Sequence, residues 1–82
     1  MSDKRNIRIG IVGSGGYGST ARRYLNNSGQ YDIVACMDSD ADVAGQAARE
    51  EKARSYHDLE TFLGDPNIEA VSINTPVILH AQ

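Results

Sequence analysis

Gly13, Gly15 and Gly18 fall in the run Gly13-Ser14-Gly15-Gly16-Tyr17-Gly18 and spell G-x-G-x-x-G. Each position meets a separate need. Gly13 permits a tight turn, Gly15 leaves the backbone open to a bulky anion because it has no Cβ, and Gly18 lets a helix pack closely on the preceding strand. The first turn of that helix carries unpaired N–H groups and a positive dipole end, and both attract phosphate. Asp38 follows about 20 residues after the last glycine, the interval at which an acidic side chain meets a ribose hydroxyl. Glycine turn and acid together predict a site for a pyrophosphate-bridged dinucleotide. The carboxylate of Asp38 repels a 2′-phosphate, and the residues after it (Ser39, Asp40, Ala41) bring no positive charge. The expected cofactor is therefore NAD, with NADP disfavoured.

Other side chains able to do chemistry point less clearly. His80 follows the last apolar run, where folds of this type bind ligands, and it reads equally as a helix-start histidine near a terminus. His57 precedes a helix cap and reads as a solvated loop residue. Two histidines without a carboxylate cluster make no metal site, so none is expected. Cys36 lies within an apolar run and reads as a small buried hydrophobe rather than a nucleophile. The ring of Tyr17 either covers the pyrophosphate or packs inward. Arg22 and Arg23, like Glu50, Glu51 and Lys52, read as solvated helix faces.

The elements that must position these residues alternate. Ile7 to Val12 is a nearly continuous apolar run, the pattern of a strand buried on both faces in a parallel sheet. The glycine turn follows, then a helix with Tyr17, Ala21, Tyr24 and Leu25 at helical spacing, stopped by Gly29. Asp32 to Met37 is a second strand ending at Asp38. Asp40 caps a helix carrying Ala44, Ala47 and Ala48 that ends near Lys52. Ser55 and Tyr56 suggest a short third strand. Asp58 caps a helix with Leu59, Phe62 and Leu63 on one side, closed by the turn Gly64-Asp65-Pro66-Asn67. Ala70 to Asn74 is the fourth strand, broken by Thr75-Pro76. Strands alternating with helices imply right-handed crossovers and an α/β fold, the half of a doubly wound Rossmann fold with parallel strand order 3-2-1-4 and helices on both faces.

Composition sets the outer limits. The chain has 82 residues, 8 of them Lys or Arg and 11 Asp or Glu, for a net charge of −3. At 40% hydrophobic and 23% charged it is ordinary for a globular domain. The mildly acidic balance offers nothing to nucleic acid or anionic lipid, and no apolar run approaches a membrane span. The polar start, Met1 to Asn6, lacks the apolar core of a signal peptide, so a cytoplasmic location is expected. One cysteine excludes an intrachain disulfide framework.

Three ordered stretches resemble the glucose–fructose oxidoreductase/inositol dehydrogenase family (Gfo/Idh/MocA). They are Ile7-Arg8-Ile9-Gly10-Ile11-Val12 running into the glycine turn; Tyr56-His57-Asp58-Leu59-Glu60-Thr61-Phe62-Leu63 with the later Asp65-Pro66-Asn67-Ile68-Glu69-Ala70-Val71; and Thr75-Pro76-Val77-Ile78-Leu79-His80-Ala81-Gln82. The resemblance implies that residues 1–82 form part of an NAD(P)-binding Rossmann domain, without the substrate domain of such proteins. It implies hydride exchange between a nicotinamide cofactor and a sugar- or polyol-type hydroxyl. By the same resemblance Gly13, Ser14, Gly15, Gly16, Tyr17 and Gly18 face the pyrophosphate and Asp38 the adenine ribose, while Thr75, Pro76 and His80 line the edge of the site. Val77 departs from the Asn often found there. The family's Glu-Lys-Pro segment has no counterpart in this sequence, so the chain alone is expected to bind and not to catalyse. A non-enzymatic nucleotide-binding or sensing module is the second reading, and a methyltransferase using S-adenosylmethionine, disfavoured by the third glycine and the Thr-Pro-x-x-x-His segment, a third. An uncovered fourth strand, through Val71-Ser72-Ile73, predicts self-association at the sheet edge.

Overall fold

The computed structural model describes residues 5–13 and 17–74, with the side chain of Tyr17 excluded. Among the described residues seven elements alternate: β1 (Ile7–Val12), α1 (Tyr17–Ser28), β2 (Tyr31–Met37), α2 (Ala41–Glu51), β3 (Arg54–Tyr56), α3 (Leu59–Leu63) and β4 (Ala70–Ile73). The four strands form one parallel sheet in the order β3-β2-β1-β4, as the alternating pattern predicts. β1 is central, with β2 on one side and β4 on the other, and its middle residues Ile9, Gly10 and Ile11 are buried, whereas Ile7 at its start is exposed.

The core on one face gathers Ile9 and Ile11 of β1, Ile33 and Cys36 of β2, Leu25 of α1, and Ala47 and Ala48 of α2. Ile33 and Cys36 are three residues apart, an odd interval that strict strand alternation forbids on one face. The ladder explains it: Ile9 pairs with Ile33, but Gly10 pairs with Ala35, so β2 carries an extra residue at Val34. Cys36 is fully buried, as its setting in the sequence predicts.

α2 begins at Asp40, whose carboxylate accepts from the N–H groups of Asp42 and Val43 at 3.0 and 3.4 Å. Its buried face is Ala44, Ala47 and Ala48, side chains short enough to bring the helix axis close to the sheet. The helix ends at Lys52 in the left-handed region, φ +56°. Gly29, φ +71°, closes α1 at the position the sequence suggests.

Two amphipathic readings need correction. On α1 the buried stripe is Gly18, Arg22 and Leu25, whereas Tyr24 is 71% exposed. Arg22 is buried because the neighbour of α1 is another helix rather than solvent, and that neighbour supplies Glu50 and Glu51 at 3.0 and 2.9 Å. On α3 only Phe62 is buried; Leu59 and Leu63 are exposed. α3 is a single short turn, and its one inward side chain crosses onto β1 at Gly10. A Cβ there would lie 2.5 Å from the Phe62 ring, so Gly10 is the hollow into which the ring fits.

Candidate dinucleotide-binding site

The carboxyl edge of the sheet is levelled by three main-chain hydrogen bonds just past the strand ends. Gly13 N–H donates to the Met37 carbonyl at 2.9 Å, Asp38 N–H to the Tyr56 carbonyl at 3.1 Å, and Asn74 N–H to the Val12 carbonyl at 2.8 Å. Gly13, Asp38 and Asn74 are thereby brought to the same edge. Beside them lies a cleft of about 150 Å³ lined by Val12, Gly13, Met37, Asp38 and Ser39.

Gly13 has φ +81°, a conformation that a side chain strains and glycine adopts freely. Gly18 packs on its carbonyl: a Cβ at Gly18 would stand 1.8 Å from the Gly13 oxygen. Both glycines therefore do what the spacing requires of them, one turning the chain out of β1 and the other seating the start of α1 against that turn. Asp38 lines the cleft, and its Oδ1 accepts from the Asp40 N–H at 3.0 Å, which ties the carboxylate to the start of α2. The Gly13 bend, the start of α1 and the Asp38 carboxylate thus lie together at the carboxyl edge of the sheet.

Of the other residues singled out in the sequence, Ser14, Gly15, Gly16, Thr75, Pro76 and His80, with the Tyr17 side chain, lie outside the described residues. His57 is exposed on the loop before α3. Among the described residues no three His, Cys, Asp or Glu side chains group to hold a metal, and no helix is long and apolar enough to cross a membrane. Asn74, read from the sequence as the end of the fourth strand, was not singled out as a site residue; its side chain donates to the Ser72 carbonyl and hydroxyl at 3.1 and 2.9 Å, which folds it back on β4. A polar residue directly after an apolar strand was the available signal.

The family model for an oxidoreductase family with an NAD-binding Rossmann fold, Gfo/Idh/MocA, matches residues 7–82. The chain belongs to the Gfo/Idh/MocA family. Inositol 2-dehydrogenase of Acidothermus cellulolyticus is 34% identical over 82 residues, covering 98% of this chain and 24% of that protein. Among solved structures, myo-inositol dehydrogenase of Lactobacillus casei in complex with NAD(H) and myo-inositol superposes with a TM-score of 0.76 at 28% identity, over 87% of this chain and 22% of that one. The WlbA dehydrogenase of Bordetella pertussis, in complex with NADH and UDP-GlcNAcA, gives 0.77 at 25% identity, over 88% and 23%. The chain thus spans about a quarter of the length of the Gfo/Idh/MocA relatives it matches. It corresponds to their NAD-binding Rossmann segment.

Proposed function

We propose that the cleft at the carboxyl edge binds a nicotinamide dinucleotide, NAD in preference to NADP, as the cofactor-holding part of an oxidoreductase acting on sugar- or polyol-type hydroxyls. The observation that carries this reading is the seating of Gly18 on Gly13 beside a cleft that Asp38 lines. The turn at Gly13 and the start of α1 hold the pyrophosphate, with Ser14, Gly15, Gly16 and Tyr17 contributing to that cradle. Asp38 accepts from the ribose hydroxyls and excludes a 2′-phosphate by charge. Thr75, Pro76 and His80 line the edge of the cofactor site. The bound dinucleotide supplies a hydride acceptor or donor. The inositol dehydrogenases among the relatives, and the WlbA dehydrogenase in complex with NADH and UDP-GlcNAcA, support a hydroxyl-bearing ring as the substrate class.

The chain alone binds without turning over a substrate. Lys52, the last lysine in the sequence, closes α2, at the helix end away from its Asp40 cap and the carboxyl edge of the sheet. Titration calorimetry with NAD, NADH and NADP, on the parent and on Asp38→Ala, tests the binding reading. Saturable binding with NAD preferred, and a larger loss for NAD than for NADP in the variant, is the expected result. Equal losses for both cofactors would sink the role given to Asp38.

Self-association through β4 belongs to the same reading. Among the described residues β4 pairs on one side only, with β1, and Val71 and Ile73 are 39% and 68% exposed. A second copy that adds its own strand there pairs the open main-chain edge and widens the apolar face that Val71 and Ile73 share. Sedimentation at rising concentration should reveal a dimer; a single monomeric species throughout would contradict it.

A further inference from the structure

The main-chain N–H of Asp38 donates to the carbonyl of Tyr56, the last residue of β3. β3 is three residues long and lies at the margin of the sheet, so its ladder to β2 offers little to hold that end in place. The side chain of Tyr56 provides the anchor. Its hydroxyl donates to Oδ2 of Asp65 at 2.7 Å, and its ring meets Phe62 edge-on with centroids 5.8 Å apart. Asp65 has a fully buried side chain, with the exposed Arg54 guanidinium 3.9 Å from its Oδ2, and is itself fixed at both ends. Its Oδ1 accepts from the Asn67 N–H at 2.8 Å, and its own N–H donates to the Phe62 carbonyl at 3.1 Å. A buried carboxylate with defined donors is a rigid point, because any motion that breaks those bonds leaves charge without solvation.

We propose that the Tyr56–Asp65 pair is a positioning device for Asp38: the buried carboxylate fixes the phenol, the phenol fixes the end of β3, and the Tyr56 carbonyl fixes the backbone from which the Asp38 carboxylate reaches the cleft. The pair touches no cofactor and acts through Asp38 alone. It sets how sharply the site separates NAD from NADP, because discrimination by a carboxylate depends on holding it where a 2′-phosphate would go. The inference rests on the reading of the cleft as a dinucleotide site.

Tyr56→Phe removes the hydroxyl and keeps the ring on Phe62; Asp65→Asn weakens the same bond from the other side. Two measurements on the full chain distinguish the outcomes. The first is hydrogen exchange of the Asp38 amide by NMR, which needs no ligand. Both variants should expose Asp38 N–H while Gly13 N–H, bonded to Met37, stays protected. The second is the ratio of NAD to NADP affinity by calorimetry, which should fall by about threefold to tenfold in both variants, the usual scale of coupling through a packed network. Arg22→Met, a destabilised control between α1 and α2, should leave that ratio unchanged. Unchanged Asp38 protection in both variants overturns the positioning role whatever the binding result. An unchanged ratio in variants that still bind, or an equal change in the Arg22→Met control, overturns it too. Failure of the parent chain to bind either dinucleotide overturns instead the reading of the cleft.

Discussion

Gly18 sits so close to Gly13 that any Cβ on it would penetrate the Gly13 carbonyl oxygen, at 1.8 Å. The obstacle is backbone, which cannot swing away as the end of a flexible side chain can. Gly18→Ala therefore has to push α1 off the turn. The expected cost is about 3 kcal/mol, the upper range for overpacking, read as a lowered urea midpoint.

Gly10→Ala offers a contrast, because the neighbour is a side chain. Its Cβ would lie 2.5 Å from the Phe62 ring and 3.2 Å from Ile68. The single variant should lose about 2 kcal/mol. Combining it with Phe62→Leu should recover part of that loss, and a double-mutant cycle in urea would measure the coupling.

Arg22 joins two helices through Glu50 and Glu51. Burial disfavours its charge, but the hydrogen bonds to Glu50 and Glu51 and their charges outweigh that and hold the guanidinium above its ordinary range. Glu51 is nearly as buried as Arg22, so loss of the arginine leaves its carboxylate without a charged partner among the described residues, held by the Asn26 amide at 3.0 Å. Arg22→Met should cost about 2 kcal/mol, below the range for a fully buried pair because Glu50 is half exposed. Adding Glu51→Gln to that variant should restore part of the loss.

Stability should fall at both ends of the pH scale for stated reasons. Asp65 is held below the usual carboxylate range by the Tyr56 hydroxyl, then by the Asn67 N–H. Asp58 is held down by the hydroxyl and N–H of Thr61, and Glu69 by the Arg8 N–H and the Arg5 guanidinium. Their folded pKa values lie below the unfolded ones, so their contribution is complete above about pH 5.5 and disappears as pH falls through the folded values. Tyr56 is raised by its bond to Asp65 and by burial. Its contribution is complete below about pH 10 and is lost as pH rises through its folded value. In Tyr56→Phe the alkaline loss should shrink and the acid loss become shallower, as monitored by circular dichroism across pH.

Lys52 holds a left-handed backbone, φ +56°, at the end of α2, where glycine carries no steric penalty. Lys52→Gly should stabilise the chain by about 0.5–1 kcal/mol. A rise in melting temperature would confirm it, and no change or a fall would count against it.

The two helix caps at Asp40 and Asp58, the turn at Gly13 and the place of Asp38 just past β2 were legible because each depends on residues near one another in the chain, whereas the strand order, which pairs β1 with the distant β4, followed from the alternation of strands and helices and the handedness of their crossovers. What was not legible depends on partners supplied from a distance. Arg22 reads as solvated until α2 brings Glu50 and Glu51 against it. Leu59 and Leu63 read as core until α3 proves too short to present more than Phe62. The extra residue at Val34 breaks no composition rule, and it emerges only when β2 is laid against β1. Tyr56 lay in a stretch read for its family likeness, but its bond to Asp65 spans the whole of α3.

The placing of β1 between β2 and β4 also orders events in time. Among the described residues no pair of strands is joined by a tight hairpin; each pairing waits for a crossover to close, which slows folding relative to a helical bundle of similar size. β1, α1 and β2 are consecutive and share the Ile9, Ile11, Leu25 and Ile33 cluster, so they can condense first. β4 must return across nearly the whole chain to reach β1, and the Phe62 ring meets Gly10 on the same journey. Substitutions at Leu25 should therefore slow folding, whereas those at Phe62 should chiefly hasten unfolding.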